Sequence, residues 1–305
     1  MARFSVETLA PVLGGGLLSF PVTAFDGQGG LDLARYQEHC AWLLERPISG
    51  LFAAGGTGEF FSLTPSEAAA VVRAAADVTD GRTPVIAGCG YGTAMAVELA
   101  QAAEAAGADG VLLLPPYLVQ SAEAGLEAHV SAVCAATRLG VILYNRDNAI
   151  LGPEAIARLA ARWPNFIGFK DGVGDLELMT RIVSALGDRL VYIGGLPTAE
   201  TFATPYLKMG VSTYSSAIFN FAPDWALRFY EAVRRDDQAF VTAALRDFVL
   251  PWIAIRNRGR GYAVSMIKAG LQVVGRPCGG VRPPLLDVAK ADYEDLAALI
   301  RRIAA

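Results

Sequence analysis

Lys170 closes the apolar run Phe166-Ile167-Gly168-Phe169, and the turn residues Asp171 and Gly172 follow it. A lysine at the end of a buried strand is costly to desolvate as an ammonium. Burial lowers its pKa and frees a neutral amine that can add to a carbonyl. The same spacing also suits a strand-end lysine that reaches solvent or pairs with Asp171. Lysine is scarce here: Lys208, Lys268 and Lys290 are the others, among 26 Lys and Arg in total. Tyr144 ends a second apolar run and offers a phenol for proton transfer. The stretch Gly55-Gly56-Thr57-Gly58-Glu59 can turn backbone N–H groups toward an anion, with the Thr57 hydroxyl beside them. A tight turn demands glycines too. An amine, a phenol and an anion cradle together suit covalent chemistry on a 2-oxo acid.

The elements that must hold these groups alternate along the chain. Short, nearly all-apolar runs lie at residues 17–25, 48–54, 83–88, 109–114, 140–144, 166–170, 189–194 and 210–214. Between them the spacing predicts helices over 32–45, 64–77, 93–106, 121–137, 153–162, 175–186 and 197–209. Thr64-Pro65-Ser66-Glu67 reads as a capping box with Pro at the first helical position, and Thr93 as the next cap. Strands without polar alternation are buried on both faces. Eight strand–helix units predict an α/β fold, a (β/α)8 TIM barrel, with catalytic residues at the C-terminal strand ends. A doubly wound open sheet is the alternative, but no Gly-x-Gly-x-x-Gly opens a helix after the first strand. Beyond about residue 223 the strands stop. Helical spacing at 224–233, 237–256, 262–273 and 291–304 divides the chain into a barrel, 1–233, and a C-terminal helical appendix, 234–305.

Composition narrows the function classes. The chain has 305 residues, 53% hydrophobic and 18% charged, with a net charge of -4. These values fit a globular protein and argue against a nucleic-acid surface. No apolar run reaches the roughly 20 residues of a spanning segment, and no signal peptide is evident, so no membrane partner and a cytoplasmic location are expected. Cys40, Cys89, Cys134 and Cys278 have no metal-type spacing and read as buried free thiols. His39 and His129 fall in helical patterns and read as surface or hydrogen-bonded groups. The basic stretch 256–261 lacks interleaved aromatics and reads as a solvated loop.

Gly55-Gly56-Thr57-Gly58-Glu59, Pro115-Pro116-Tyr117, Tyr144-Asn145 and Ile167-Gly168-Phe169-Lys170-Asp171 resemble, in order and strand position, motifs of the dihydrodipicolinate synthase and N-acetylneuraminate lyase superfamily. The resemblance covers about residues 15–225. It implies that Lys170 forms a Schiff base with the substrate ketone and that Tyr144 shuttles protons. It implies that Gly56 and Thr57 hold the adjacent carboxylate. It implies a homo-oligomer, a tetramer, in which Tyr117 resembles the tyrosine that members donate to a neighbour's site. No cofactor and no metal are expected.

Three departures bear on the reaction. Gly56 stands where the synthase has a relay Thr, Ala149 where it has an Arg, and Arg146-Asp147 where a Tyr-Asn-x-Pro turn is usual. Tyr144-Asn145-Arg146-Asp147-Asn148, Gly194-Gly195-Leu196-Pro197 and the hydroxyl-rich run 212–216 look more like the 5-dehydro-4-deoxyglucarate dehydratases of that superfamily. The resemblance therefore implies a sugar diacid as small-molecule partner. Asn145, Arg146, Gly195 and Ser212 are expected near the substrate, with Ser212, Asn145 and Arg146 toward the far carboxylate. A class I 2-oxo sugar acid aldolase and a non-catalytic sugar-acid-binding barrel are the competing expectations.

Overall fold

The computed structural model describes residues 3–304. Eight parallel strands close into a barrel in sequential order. They are β1 (Leu18–Ser19), β2 (Gly50–Ala53), β3 (Val85–Cys89), β4 (Gly110–Leu113), β5 (Gly140–Asn145), β6 (Phe166–Asp171), β7 (Val191–Gly194) and β8 (Thr213–Ser216). The open-sheet alternative is thereby excluded. Two apolar cores result. One lies between the strands and the outer helices; the other fills the barrel with Leu18, Phe52, Ile86, Leu112, Ile142, Ile167, Val191 and Ile193.

The N-terminal helix α1 (Val6–Gly14) has no counterpart among the elements expected from the sequence pattern. Pro11 within it and the glycines at its end, Gly14, Gly15 and Gly16, hide the helical pattern. Its Leu9 and Leu13 are fully buried in the barrel-filling core and plug the end away from the strand C-termini. Asp109 ties this segment down by accepting from the Arg3, Phe4 and Val85 N–H groups at 2.6, 3.1 and 2.9 Å.

The outer helices are α2 (Leu33–Leu43), α3 (Pro65–Thr79), α4 (Thr93–Ala106), α5 (Glu123–Ala136), α6 (Pro153–Arg162), α7 (Leu176–Leu186), α8 (Ala203–Lys208) and α9 (Pro223–Arg234). The Thr64/Glu67 capping box on α3 forms as expected. Thr93 does not cap α4; Gly92 holds that position, and the Thr93 hydroxyl instead meets His129 Nδ1 at 2.9 Å. The helix expected over 197–209 is a 3-10 turn, Ala199–Phe202, followed by α8. Pro205 lacks the N–H that would carry an α-ladder back across that junction.

Three further helices follow: α10–α11 (Gln238–Ala244 and Leu250–Arg256), joined by a π turn at Leu245–Val249, then α12 (Tyr262–Val273) and α13 (Lys290–Ala304). Pro251 has no N–H to return to the preceding turn, which accounts for the π insertion. The continuous helix Gln238–Arg256 is 19 residues long and apolar enough, by length and composition, to cross a membrane. Run length alone does not mark it, because charged residues interrupt its apolar stretch. Phe248, Val249 and Trp252 on it are buried in the core, while Arg246 and Asp247 form an exposed ion pair, the pattern of a core-packing helix.

The strands carrying Tyr144 and Lys170 are in contact through one irregularity. Val141 pairs with Phe166, but Ile142 pairs with Gly168, so β6 has one extra residue opposite β5. Strict alternation from inward-facing Ile167 would send Lys170 outward. The bulge resets the phase: Phe166 and Phe169 both pack on the outer core, and Tyr144 pairs with Lys170.

Candidate active site

A cavity of about 400 Å³ opens at the C-terminal strand ends, and Gly56, Thr57, Tyr144, Arg146, Lys170 and Gly195 all line it. Six of the nine sequence-derived positions thus meet in one place. Lys170 is 4% exposed. Its Nζ sits 4.1 Å from the Phe20 ring centre and 4.3 Å from the Tyr144 ring centre. Ring faces attract a cation weakly. Burial outweighs them and, with the Arg146 charge nearby, lowers the amine to about 7. A fair fraction of Lys170 is therefore unprotonated at neutral pH. Gly195 must be glycine: a Cβ there would lie 2.6 Å from Lys170 Cε and 2.6 Å from the Asp171 carbonyl oxygen.

Asp171 does not pair with Lys170, although it is next in sequence. Successive strand residues face opposite sides. Asp171 is fully buried outside the cavity, accepting from Val173 and Gly174 N–H at 3.1 and 3.0 Å and from the Tyr206 hydroxyl. It folds the loop after β6 and leaves the amine without a counter-ion.

Tyr144 donates to the Gly195 carbonyl at 2.5 Å and accepts from Arg146 Nη1 at 3.2 Å. Burial raises its pKa, and Arg146 pulls it back down. Arg146 is steadied by Asp147 at 3.1 Å.

The turn after β2 is held from three sides. Thr23 Oγ1 donates to the Gly58 carbonyl at 2.6 Å, and Phe60 N–H donates to the Gly55 carbonyl at 3.0 Å. Glu59, in the left-handed region at φ 56°, is fully buried and meets Lys268 Nζ on α12 at 2.7 Å. Its other oxygen accepts from Arg282 N–H at 3.1 Å. Lys268 also donates to the Gly280 carbonyl at 2.6 Å. Burial lowers the Lys268 pKa, and Glu59 opposes that change. This second buried lysine is thus committed to a carboxylate, whereas Lys170 is not. Lys208 and Lys290 are exposed.

Three expected positions do not reach the cavity. Ser212 lies at the opposite end of the barrel, where its hydroxyl donates to the Gly14 carbonyl of α1 at 2.9 Å. The apolar pattern sets the strand two to three residues early: Val211 N–H still bonds Tyr206 of α8 at 2.9 Å, so 210–212 belongs to the helix–strand turn. Ser215 of β8, not Ser212, lines the cavity. Asn145 is fully buried, and its Oδ1 accepts from Leu151 N–H at 2.9 Å, which is turn chemistry. Tyr117 is 66% exposed and approaches Tyr91 edge-on at 6.3 Å, outside the cavity lining. Phe20, Val264, Ile267 and Leu285 also line the cavity, and the sequence reasoning missed them. Phe20 was readable, since it continues β1; nothing in the sequence pattern marks the other three as wall residues.

A closed barrel with an unpaired amine on β6 beside a phenol on β5 defines a class: an enzyme able to form a Schiff base with a carbonyl compound. The chain belongs to the dihydrodipicolinate synthetase family, whose model matches residues 14–303. It is 64% identical over 300 residues to a probable 5-dehydro-4-deoxyglucarate dehydratase of Methylobacterium radiotolerans, covering 98% of this chain and 99% of that one. A protein of the same description from Ralstonia nicotianae is 62% identical over 304 residues, covering 100% and 98%. Among solved structures, the dihydrodipicolinate synthase of Bacillus clausii superposes with a TM-score of 0.89 at 27% identity, covering 97% and 100%. A prophage protein of the dihydrodipicolinic acid synthase family from E. coli K12, in complex with pyruvate, gives a TM-score of 0.85 at 27% identity, covering 95% and 98%.

Proposed function

We propose that this protein is a decarboxylating hydro-lyase that converts 5-dehydro-4-deoxyglucarate to 2,5-dioxopentanoate, water and carbon dioxide through a Schiff base on Lys170. The observation that carries the reading is the meeting of an uncompensated amine, a phenol and the Gly56–Thr57 turn in one cavity, in a chain so similar to proteins of that description along its whole length. The Lys170 amine adds to C5, and loss of water gives an iminium. The iminium acidifies C4, whose proton passes to solvent, and the resulting enamine expels the C3 hydroxyl, which takes up a proton and leaves as water. The conjugated iminium then accepts the electron pair of the C1–C2 bond as carbon dioxide leaves. Protonation and hydrolysis release the semialdehyde and restore the amine.

In this reading Gly56 and Thr57 hold the carboxylate beside the ketone, and Tyr144 moves protons, a contribution of about 10²–10⁴-fold. A Cβ at Gly56 would meet nothing within 4 Å, so this side of the cavity leaves room for a longer substrate. Of the residues expected toward the far carboxylate, Arg146 alone lines the cavity among the described residues, and there it is engaged by Tyr144 and Asp147. With the sugar diacid, the enzyme is expected to release carbon dioxide and a semialdehyde oxidisable by a coupled dehydrogenase, and to tolerate a chelator. Pyruvate without carbon dioxide moves the assignment to an aldolase.

The same reading includes a homotetramer. Tyr117, Leu118 and Val119 are 66, 82 and 56% exposed, an apolar run at the rim suited to burial against another copy. Sedimentation should give a species four times the chain mass. A fully active monomer rejects the shared site.

A further inference from the structure

The phenolic oxygen of Tyr144 is held by two groups. Its hydrogen goes to the Gly195 carbonyl at 2.5 Å, and its lone pair accepts Arg146 Nη1 at 3.2 Å. A carbonyl cannot deliver or receive a proton, so Gly195 orients the phenol without relaying through it. A phenol that acts as an acid leaves a phenolate, and a buried anion is costly unless a cation stands beside it. Gly56 faces the same cavity with no side chain to pass a proton. Arg146 has the needed geometry. It stays protonated at every working pH, and its Nε is anchored on Asp147 at 3.1 Å. Its guanidinium carbon lies 5.8 Å from the centre of the Tyr144 ring. Asp147 is 69% exposed, so its opposing charge is screened by water.

We infer that Arg146 is a positioning residue for proton transfer: it stabilises the phenolate of Tyr144 and so lets that single tyrosine act as the acid of dehydration without a chain of hydroxyls. This rests on the Schiff-base reading. The Tyr144 O–H bond breaks, and its proton goes to the C3 hydroxyl. That oxygen keeps the C3–O electron pair and departs as water, and the negative charge stays on the Tyr144 oxygen against Arg146. Carbon dioxide loss then leaves an enol at C2. The phenolate takes the enol hydrogen as the C2 carbonyl forms, C3 and then C4 are protonated from solvent, and the iminium so restored is hydrolysed. The guanidinium lines the same cavity as Lys170, so the same charge disfavours the ammonium form of the amine.

The experiment compares wild type with Arg146→Met and Arg146→Lys. Three readouts are taken: kinetics with the sugar diacid against pH, borohydride trapping of pyruvate, and the ultraviolet tyrosinate signal lost in Tyr144→Phe. Arg146→Met should lower kcat about 10²-fold or more while KM changes less than about threefold. The Tyr144 ionisation should move to higher pH, because the nearby positive charge is gone. The acid limb of kcat/KM, set by the amine, should move up with it. Pyruvate should still be trapped on Lys170 at high pH, which shows an intact fold. Arg146→Lys, which keeps the charge, should return the tyrosinate signal toward wild type and recover part of kcat. A large rise in KM with unmoved ionisations makes Arg146 a carboxylate ligand and overturns the inference; so does an unchanged kcat. A wild type that traps pyruvate but does not dehydrate the diacid rejects the substrate reading alone, because the tyrosinate comparison needs no substrate.

Discussion

Lys170→Met is expected to abolish turnover, by about 10⁴–10⁶-fold, and at the same time to raise the melting temperature. The loss follows from removing the only amine that faces the cavity without a counter-ion among the described residues. The gain follows from the cost of burying that amine. Lys170 titrates near 7 in the folded protein, against 10.5 for the unperturbed group. Between those values the unfolded chain binds more protons than the folded one, so the wild type gains stability as pH rises through that window. Below about 7 the penalty is complete. A tenfold difference in proton affinity between the folded and unfolded chain is worth about 1.4 kcal/mol, so an uncharged Met of similar length should stabilise the fold on the order of 5 kcal/mol there. The advantage should shrink toward pH 10. Melting curves from pH 6 to 10 check both the sign and the trend. A variant less stable than wild type at pH 6 would mean that Lys170 is protonated and well paired, and the mechanism would lose its nucleophile. Borohydride trapping of pyruvate, present in wild type and absent from the variant, locates the covalent bond independently.

The second large effect is expected at the Glu59–Lys268 pair. Each side chain is at most 2% exposed, and the nitrogen–oxygen distance is 2.7 Å. Removing one partner of such a pair leaves a buried charge without compensation and costs about 3–5 kcal/mol. Glu59→Gln and Lys268→Met should each lose that much, measured by urea unfolding. The double variant should regain a substantial part, since two neutral groups no longer demand solvation. Simple additivity of the two losses sinks the idea. The kinetic consequence is separate. Glu59 anchors the turn carrying Gly56 and Thr57, so the single variants should raise KM for the 2-oxo acid more than they lower kcat.

Much of this was legible in the sequence. Strand–helix alternation gave the barrel, and strand ends gave Lys170, Tyr144, Gly56 and Thr57, because an apolar run closed by a polar residue is a local signal. What failed was phase and distance. Ser212 falls at the wrong end because Val211 looks like a strand residue, while its N–H is still occupied by α8. The bulge that turns Lys170 inward is a relation between two strands, and neither strand's pattern contains it. Helix α1 is hidden by Pro11 and its trailing glycines, although Leu9 and Leu13 fill the barrel floor. Asn145 and Tyr117 follow the motif correctly, yet the backbone uses one side chain as a turn fastener and leaves the other at the surface. Val264, Ile267 and Leu285 are apolar residues in apolar surroundings, and only three-dimensional proximity makes them walls.

The dependence of the β2 turn on Lys268 and Arg282 bears on how the molecule is made. A ribosome adds residues from the N-terminus, so every barrel strand has been synthesised by residue 216. At that moment Glu59 has neither of its partners, and the cavity lacks the wall supplied by Val264, Ile267 and Leu285. Those groups follow the last barrel strand in the sequence, so they leave the ribosome after it. The Gly56–Thr57 turn is therefore locked only after the strands around it are complete. A chain stopped between residues 216 and 268 would leave the Gly56–Thr57 turn unanchored and the Lys170 amine open to water.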